Sequence, residues 1–259
     1  MDFGERFHDS CGFGLLAQIG NRPSHALVED AVRACARLSH RGAIAADGKT
    51  GDGSGLLCSM PRVFMRRVAE ESGVSLPEQF AVAMLFLGDE ERQLAVFREH
   101  CEKNDLRLLH VREVPLDTGA LGERALKLLP KIRQAFVVPA ALVATRRLDA
   151  LLYLTRKEVE HRLAAEADFY IPSFSRKVVA YKGLVMPTRI RTLYPDLAQP
   201  DFACSFVLFH QRFSTNTLPQ WKLAQPFRTL AHNGEINSLQ ANRFHARHMF
   251  NDAKSPVFS

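Results

Sequence analysis

A chain of 259 residues with 46% hydrophobic side chains can bury a sizeable core and fits one large domain or two small ones, which excludes a disordered chain. No run approaches the roughly 18 uncharged apolar residues of a membrane span, and the start, MDFGERFHDS, lacks the apolar stretch of a signal peptide, so a cytoplasmic protein with no membrane partner is expected. Lys and Arg number 34 against 28 Asp and Glu, a net charge of +6, but the basic residues are scattered through helical patterns instead of forming a stripe with aromatics, which argues against nucleic acid.

After the opening residues, CGFGLLAQI reads as a short strand whose glycines let other backbone approach closely. Pro23 and Ser24 then start a helix. Its apolar positions Leu27, Val28, Ala31, Val32, Cys35 and Leu38 keep helical spacing, and Gly42 is the expected stop. The loop HRGAIAADGKTGDGSG follows, with five glycines between His40 and Gly55. Two features weigh against phosphate cradling: the loop has no Walker spacing, and Asp47 and Asp52 would repel a phosphate. A tight structural loop beside a site is the better reading.

An alternating series comes next. SGLLCSM is a strand, Pro61 to Glu71 a helix, FAVAMLFL a strand, and Asp89 to Asn104 a helix. LRLLHVREV returns as a strand, Ala120 to Leu129 as a short helix and RQAFVVP as a strand. Leu148 to Ala167 is ambiguous, because LLYLT is strand-like and RKEVEHRLAAEA helical. DFYIPSFS and KVVAYKGLV are close enough to pair as a hairpin. A short helix near Pro187 to Leu193 and the turn-rich YPDLAQPD precede the apolar strand CSFVLFHQRF. FRTLAHNGEI is a further strand, a final helix runs from Asn237 to Phe250, and the tail is DAKSPVFS. Many strands adjoin strands with no helix between them and no linker divides the chain. A single α+β domain with mixed or antiparallel sheets covered by helices is expected.

The five cysteines, at 11, 35, 58, 101 and 204, form no CxxC pair. Cys35 and Cys101 fall in step with buried helix faces, and Cys58 and Cys204 lie in strand-like runs. Cys11 stands apart, flanked by Gly12 and Gly14. Chemistry concentrates between His210 and Asn237. Arg212 follows an apolar strand, and its planar fork suits a carboxylate. Ser214, Thr215, Asn216 and Thr217 extend it with hydrogen-bonding groups. Asn233 and Gly234 offer a side-chain amide and an unobstructed N–H, one way to hold an oxyanion, although Asn-Gly is also the preferred pair for a plain hairpin turn. His245 and His248 are spaced i, i+3 on the last helix but have no third ligand, so no metal is expected. A G-x-S-x-G elbow is absent.

Six motifs in order, Cys11-Gly12-Phe13-Gly14, His40-Arg41-Gly42-Ala43, Thr50-Gly51-Asp52-Gly53-Ser54-Gly55, Tyr181-Lys182-Gly183, Arg212 to Thr217 and His232 to Asn237, resemble the glutaminase domain of the glutamate synthase large subunit. That domain is a class II glutamine amidotransferase within the N-terminal-nucleophile hydrolases. The resemblance runs from Cys11 to about Phe250 and implies a four-layer αββα sandwich over residues 11–259. It implies that Met1 to Ser10 are a propeptide whose removal leaves Cys11 as the first residue and nucleophile. A free α-amino group with a pKa near 7.7 to 8.0 can then serve as base toward its own thiol. Arg212 would bind the α-carboxylate of L-glutamine, with Thr215 hydrogen-bonding nearby. Asn233 and Gly234 would form the oxyanion hole.

By the same resemblance, glutamine is hydrolysed through a γ-glutamyl thioester, and the ammonia is destined for glutamate synthesis from 2-oxoglutarate. No cofactor is expected in this chain. FMN and an iron–sulfur cluster would belong to the synthase portion, whose remaining domains or subunits are the expected partners. The family's aspartate for the substrate α-amino group, and the last parts of the sandwich, would lie beyond Ser259, so an incomplete C-terminal end is expected. Two alternatives stand beside this: an inactive truncated fragment serving only binding or assembly, and an amidotransferase domain serving another acceptor. The HRGA and TGDGSG segments favour glutamate synthase.

Overall fold

The computed structural model describes residues 12–212 and 218–227. Strand β1 (Gly12–Ala17) leads to helix α1 (His25–Arg37), capped by Ser24, whose hydroxyl accepts the Leu27 amide at 3.3 Å. Val28, Ala31 and Cys35 form its buried face, as their spacing requires, and a 3-10 turn over Ser39–Arg41 carries the chain to Gly42. The expected alternation then appears as β2 (Ser54–Ser59), α2 (Arg62–Glu70), β3 (Ala81–Leu87) and α3 (Glu90–Lys103). It continues as β4 (Leu106–Glu113), α4 (Glu123–Lys127) and β5 (Lys131–Pro139). The ambiguous stretch is one helix, α5 (Thr145–Arg162). Leu148, Leu152, Thr155 and Val159 share its buried face at helical spacing, so LLYLT is helical. Strands β6 (Tyr170–Ser175) and β7 (Val178–Gly183), the short helix α6 (Ile190–Leu193) and β8 (Phe206–Gln211) complete the described strands and α-helices.

Two four-stranded antiparallel sheets result, in the orders β1-β8-β2-β7 and β4-β5-β3-β6. The hairpin expected from DFYIPSFS and KVVAYKGLV does not form. Strand β6 pairs with β3 and β7 with β2, so Arg176 and Lys177 carry the chain from the edge of one sheet to the edge of the other. Each strand is buried along nearly its whole length, which an isolated two-stranded ribbon could not achieve. The strands still touch at this corner, where the Ser173 hydroxyl accepts the Ala180 amide at 3.0 Å. Arg176 and Lys177 both pair with Asp149 on α5.

Strand β3 explains why FAVAMLFL shows no alternation. Val82, Met84 and Phe86 face a core shared with Leu56, Phe136, Tyr181 and Phe209 from both sheets and with α1 and α2. Ala81, Ala83, Leu85 and Leu87 face a second core against α3 and α5, lined by Phe97 and Leu152. Both faces are covered, so both must be apolar. A buried polar link crosses between the sheets. Gln134 Nε2 donates to Tyr181 Oη at 2.7 Å, Tyr181 Oη donates to Asp196 Oδ2 at 2.8 Å, and Arg112 grips Asp196 with both terminal nitrogens. Every member has a partner, as burial demands. Most of the strand expected over FRTLAHNGEI, and the helix expected from Asn237, lie outside the described residues.

Candidate active site

One row of backbone pairs crosses the first sheet at the end where the motifs meet. Gly12 at the start of β1 pairs with Gln211 at the end of β8, Gln211 pairs with Ser54 at the start of β2, and Ser54 pairs with Gly183 at the end of β7. Neighbours in such a row are about 4.5–5.5 Å apart at Cα. The CGFG, TGDGSG, YKG and Arg212 motifs, far apart in sequence, therefore share one sheet end. The HRGA motif joins them. A Cβ on Gly42 would lie 1.8 Å from Gln211 Nε2, and one on Gly12 would press on Leu38 and Arg41, so bare backbone is required there.

Of the expected site residues, Arg212 is described; Cys11, Thr215, Asn233 and Gly234 lie outside the described residues. Arg212 continues β8 by one residue, its amide donating to Gly53 O at 2.8 Å. Its Nη1 donates to Asp52 O at 3.2 Å, and the side chain is only 8% exposed. The guanidinium is thus set by backbone on the TGDGSG loop, a rigid mounting for a fork that would meet a carboxylate. Asp52 contributes its carbonyl to that mounting.

The glycine-rich loop is structural in its details. Asp47 accepts the Lys49 and Thr50 amides at 3.0 and 2.7 Å on Oδ1, and the Thr50 hydroxyl at 2.5 Å and the Arg124 amide at 3.3 Å on Oδ2. The Thr50 hydroxyl first, then these amides, hold the Asp47 carboxyl well below the usual carboxylate range. A pair of main-chain bonds, Ala45 N to Thr50 O at 2.8 Å and Asp52 N to Ala43 O at 3.3 Å, closes the loop. Gly48 and Gly53 take positive φ values of 67° and 128° that a side chain would resist.

Two residues at this end carried no sequence signal of their own. Gln211 is buried, donates from Nε2 to Arg212 O at 3.0 Å, and has an Oε1 without a hydrogen-bond partner among the described residues. Trp221 packs over Gly183, where an added Cβ would come within 2.4 Å of the ring. Four cysteines are ruled out as nucleophiles: Cys35, Cys58, Cys101 and Cys204 are buried free thiols. Burial pushes the Cys35 and Cys101 thiols up to about 12. Hydrogen bonding with Cys204, then burial, pushes Cys58 well above its ordinary value. The Cys35, Cys58 and Cys101 thiols stay protonated at neutral pH, and Cys204 has no exposed surface, which leaves Cys11 as the candidate.

Among the described residues, no group of three or more His, Cys, Asp or Glu could hold a metal ion, and no helix is long and apolar enough to cross a membrane. His245 and His248 lie outside the described residues. The family model for class-II glutamine amidotransferases matches residues 11–259. A ferredoxin-dependent glutamate synthase of Cyanidium caldarium is 41% identical over 248 residues, covering 90% of this chain and 16% of the relative. The ferredoxin-dependent glutamate synthase 2 of Synechocystis sp. is 38% identical over 240 residues, 90% of this chain and 15% of the relative. The glutamate synthase [NADPH] large chain of Azospirillum brasilense is 37% identical over 243 residues, 91% of this chain and 16% of the relative. The chain spans only 15% to 16% of the length of these curated relatives.

Proposed function

The chain belongs to the class-II glutamine amidotransferases, and from that premise we propose that it is the glutamine-hydrolysing unit of a glutamate synthase, built as the four-layer αββα sandwich of the N-terminal-nucleophile hydrolases. Removal of Met1 to Ser10 frees the Cys11 amine, which takes the proton of its own thiol. The thiolate attacks the side-chain amide carbon of L-glutamine, and the Asn233 amide and Gly234 N–H stabilise the oxyanion that forms. Ammonia departs with the proton returned by the amine, leaving a γ-glutamyl thioester. Water, deprotonated by the same amine, adds to the thioester carbonyl, and glutamate leaves as the thiol re-forms. Arg212 holds the substrate α-carboxylate and Thr215 hydrogen-bonds beside it.

The observation that carries this reading is the register: Arg212 directly follows Gln211, Gln211 is paired with Gly12, and Gly12 directly follows Cys11. Arg212 and the backbone that follows Cys11 thereby share one sheet end, which supports these roles for the two residues. Family membership from residue 11 onward supports Cys11 as the first residue of the working enzyme. The names of the relatives support glutamate synthesis as the use of the ammonia; the motif resemblance adds 2-oxoglutarate as acceptor, with FMN and an iron–sulfur cluster in the remaining domains. The chemistry assigned to this chain uses neither group.

Intact-mass measurement tests the processing step. Glutamine-dependent ammonia release is expected from chain that begins at Cys11 and not from chain that still carries Met1 to Ser10. Equal release from both forms would contradict the role of the free amine.

A further inference from the structure

Lys182 is the largest polar side chain with no exposed surface in the described core. It sits on β7 opposite Gly55, one residue from Gly183 and the row of pairs that leads to Arg212. Its Nζ donates to Ala224 O at 2.7 Å, to Lys222 O at 3.3 Å and to Tyr170 Oη at 3.4 Å. The same nitrogen stands 4.6 Å from the centre of the Tyr170 ring and 4.3 Å from that of Phe227. Among the described residues no carboxylate lies within ion-pair distance of it. A buried lysine without a counter-ion is costly, and burial, followed by the nearby Arg156, pulls its pKa well below the usual lysine value. What it gains in return is a hold on the backbone of one segment, residues 222–227.

That segment lies over the two glycine motifs. Ala224 packs on Gly53, where an added Cβ would come within 2.9 Å of it, and Gln225 O lies where a Cβ on Gly55 would be 2.3 Å away. The preceding Trp221 covers Gly183, donates Nε1 to Ala125 O at 3.1 Å and meets the Phe86 ring edge-on at 6.0 Å between centroids. Gly53, Gly55 and Gly183 form the floor of a seat, Trp221 anchors one end of the strap laid in it, and Lys182 pins the middle. In sequence the strap lies between Arg212 and Thr215 on one side and Asn233 and Gly234 on the other.

We propose that Lys182 is a positioning residue for glutamine hydrolysis: by holding the Lys222 and Ala224 carbonyls it fixes the 221–227 strap, and through it the relative placement of the carboxylate-binding and oxyanion-binding segments that flank it. The proposal rests on the function argued above. It also gives the TGDGSG and YKG motifs a role, since their glycines make room for the strap. Displacements of about 1 Å in a site can cost on the order of a hundredfold in rate, so a strap that Lys182 holds by two hydrogen bonds is a place where such a loss would begin.

The test compares two probes of Cys11 on chain whose first residue, by intact mass, is Cys11. A diazoketone analogue of glutamine needs the assembled substrate site, whereas iodoacetamide needs only an accessible thiol. Lys182→Met keeps the apolar stem and loses all three hydrogen bonds; Trp221→Phe releases the other anchor of the strap. Both variants are expected to react with the diazoketone about tenfold or more slowly at Cys11, while iodoacetamide reacts there within about twofold of the wild-type rate. Cys35, Cys58, Cys101 and Cys204 should remain unmodified, which separates a misplaced strap from unfolding. Wild-type diazoketone rates in both variants would overturn the role of Lys182 and leave the glutaminase reading standing. A wild-type chain that the diazoketone never labels at Cys11 would overturn the glutaminase reading and this proposal with it. Should Lys182→Met expose the buried cysteines, the rates of Lys182→Gln decide in its place.

Discussion

Arg212 is mounted by two hydrogen bonds to the TGDGSG loop, and its fork suits two-point contact with a carboxylate. Arg212→Lys keeps the charge and loses the fork. KM for glutamine is expected to rise about tenfold with little change in kcat, as read from initial rates of ammonia release. A loss confined to kcat would contradict a ground-state role. Asn233→Ala should do the reverse, lowering kcat on the order of 10²–10³-fold, the usual consequence of removing one oxyanion donor. Burial of Cys35, Cys58, Cys101 and Cys204 was legible from helical and strand periodicity, whereas Cys11, set apart in sequence by its flanking glycines, lies outside the described residues. Gln211 and Trp221 could not be picked out, because nothing in a single sequence reveals that a side chain fills the space left by a glycine far along the chain.

At the scale of elements, periodicity located nearly every described helix and strand. It failed where the decision was made by distant partners. LLYLT is apolar enough for a strand and became part of α5 because Leu148, Leu152 and Val159 line one helical face over Phe97 and its neighbours. The β6 and β7 segments look like a hairpin by proximity, yet each is claimed by the edge of a different sheet. The glycine motifs are tightly constrained pieces. Gly55→Ala would force a methyl to within 2.3 Å of Gln225 O and 2.5 Å of Lys182 Cβ. It should destabilise the protein by about 1–3 kcal/mol through overpacking, measurable as a lower urea midpoint at unchanged slope. Gly48→Ala meets no atom within 4 Å but inherits a φ of 67°, so its cost should be smaller and purely conformational.

Across the whole molecule, several carboxylates are held below their ordinary pKa. Hydrogen bonding from Arg133 depresses Glu90, from Lys103 depresses Glu158 and from Arg67 depresses Asp201. A depressed folded pKa adds stability that is fully present above the unfolded value near 4 and is lost as pH falls through the folded value. The melting temperature should therefore stay level from pH 7 to about 5 and decline below about 4; a protein equally stable at pH 3 and pH 6 would contradict these assignments. The α+β class was legible from strands that follow strands without helices between them. The meeting of four strands at one row, which brings the CGFG, HRGA, TGDGSG and YKG motifs and Arg212 to one sheet end, is a property of register and became visible only in three dimensions. The central claim, that this site hydrolyses glutamine with Cys11, is tested most directly by glutamine-dependent ammonia release from wild-type chain and Cys11→Ala side by side. Release by the wild type and none above background by the variant is predicted; equal release by the two would contradict it.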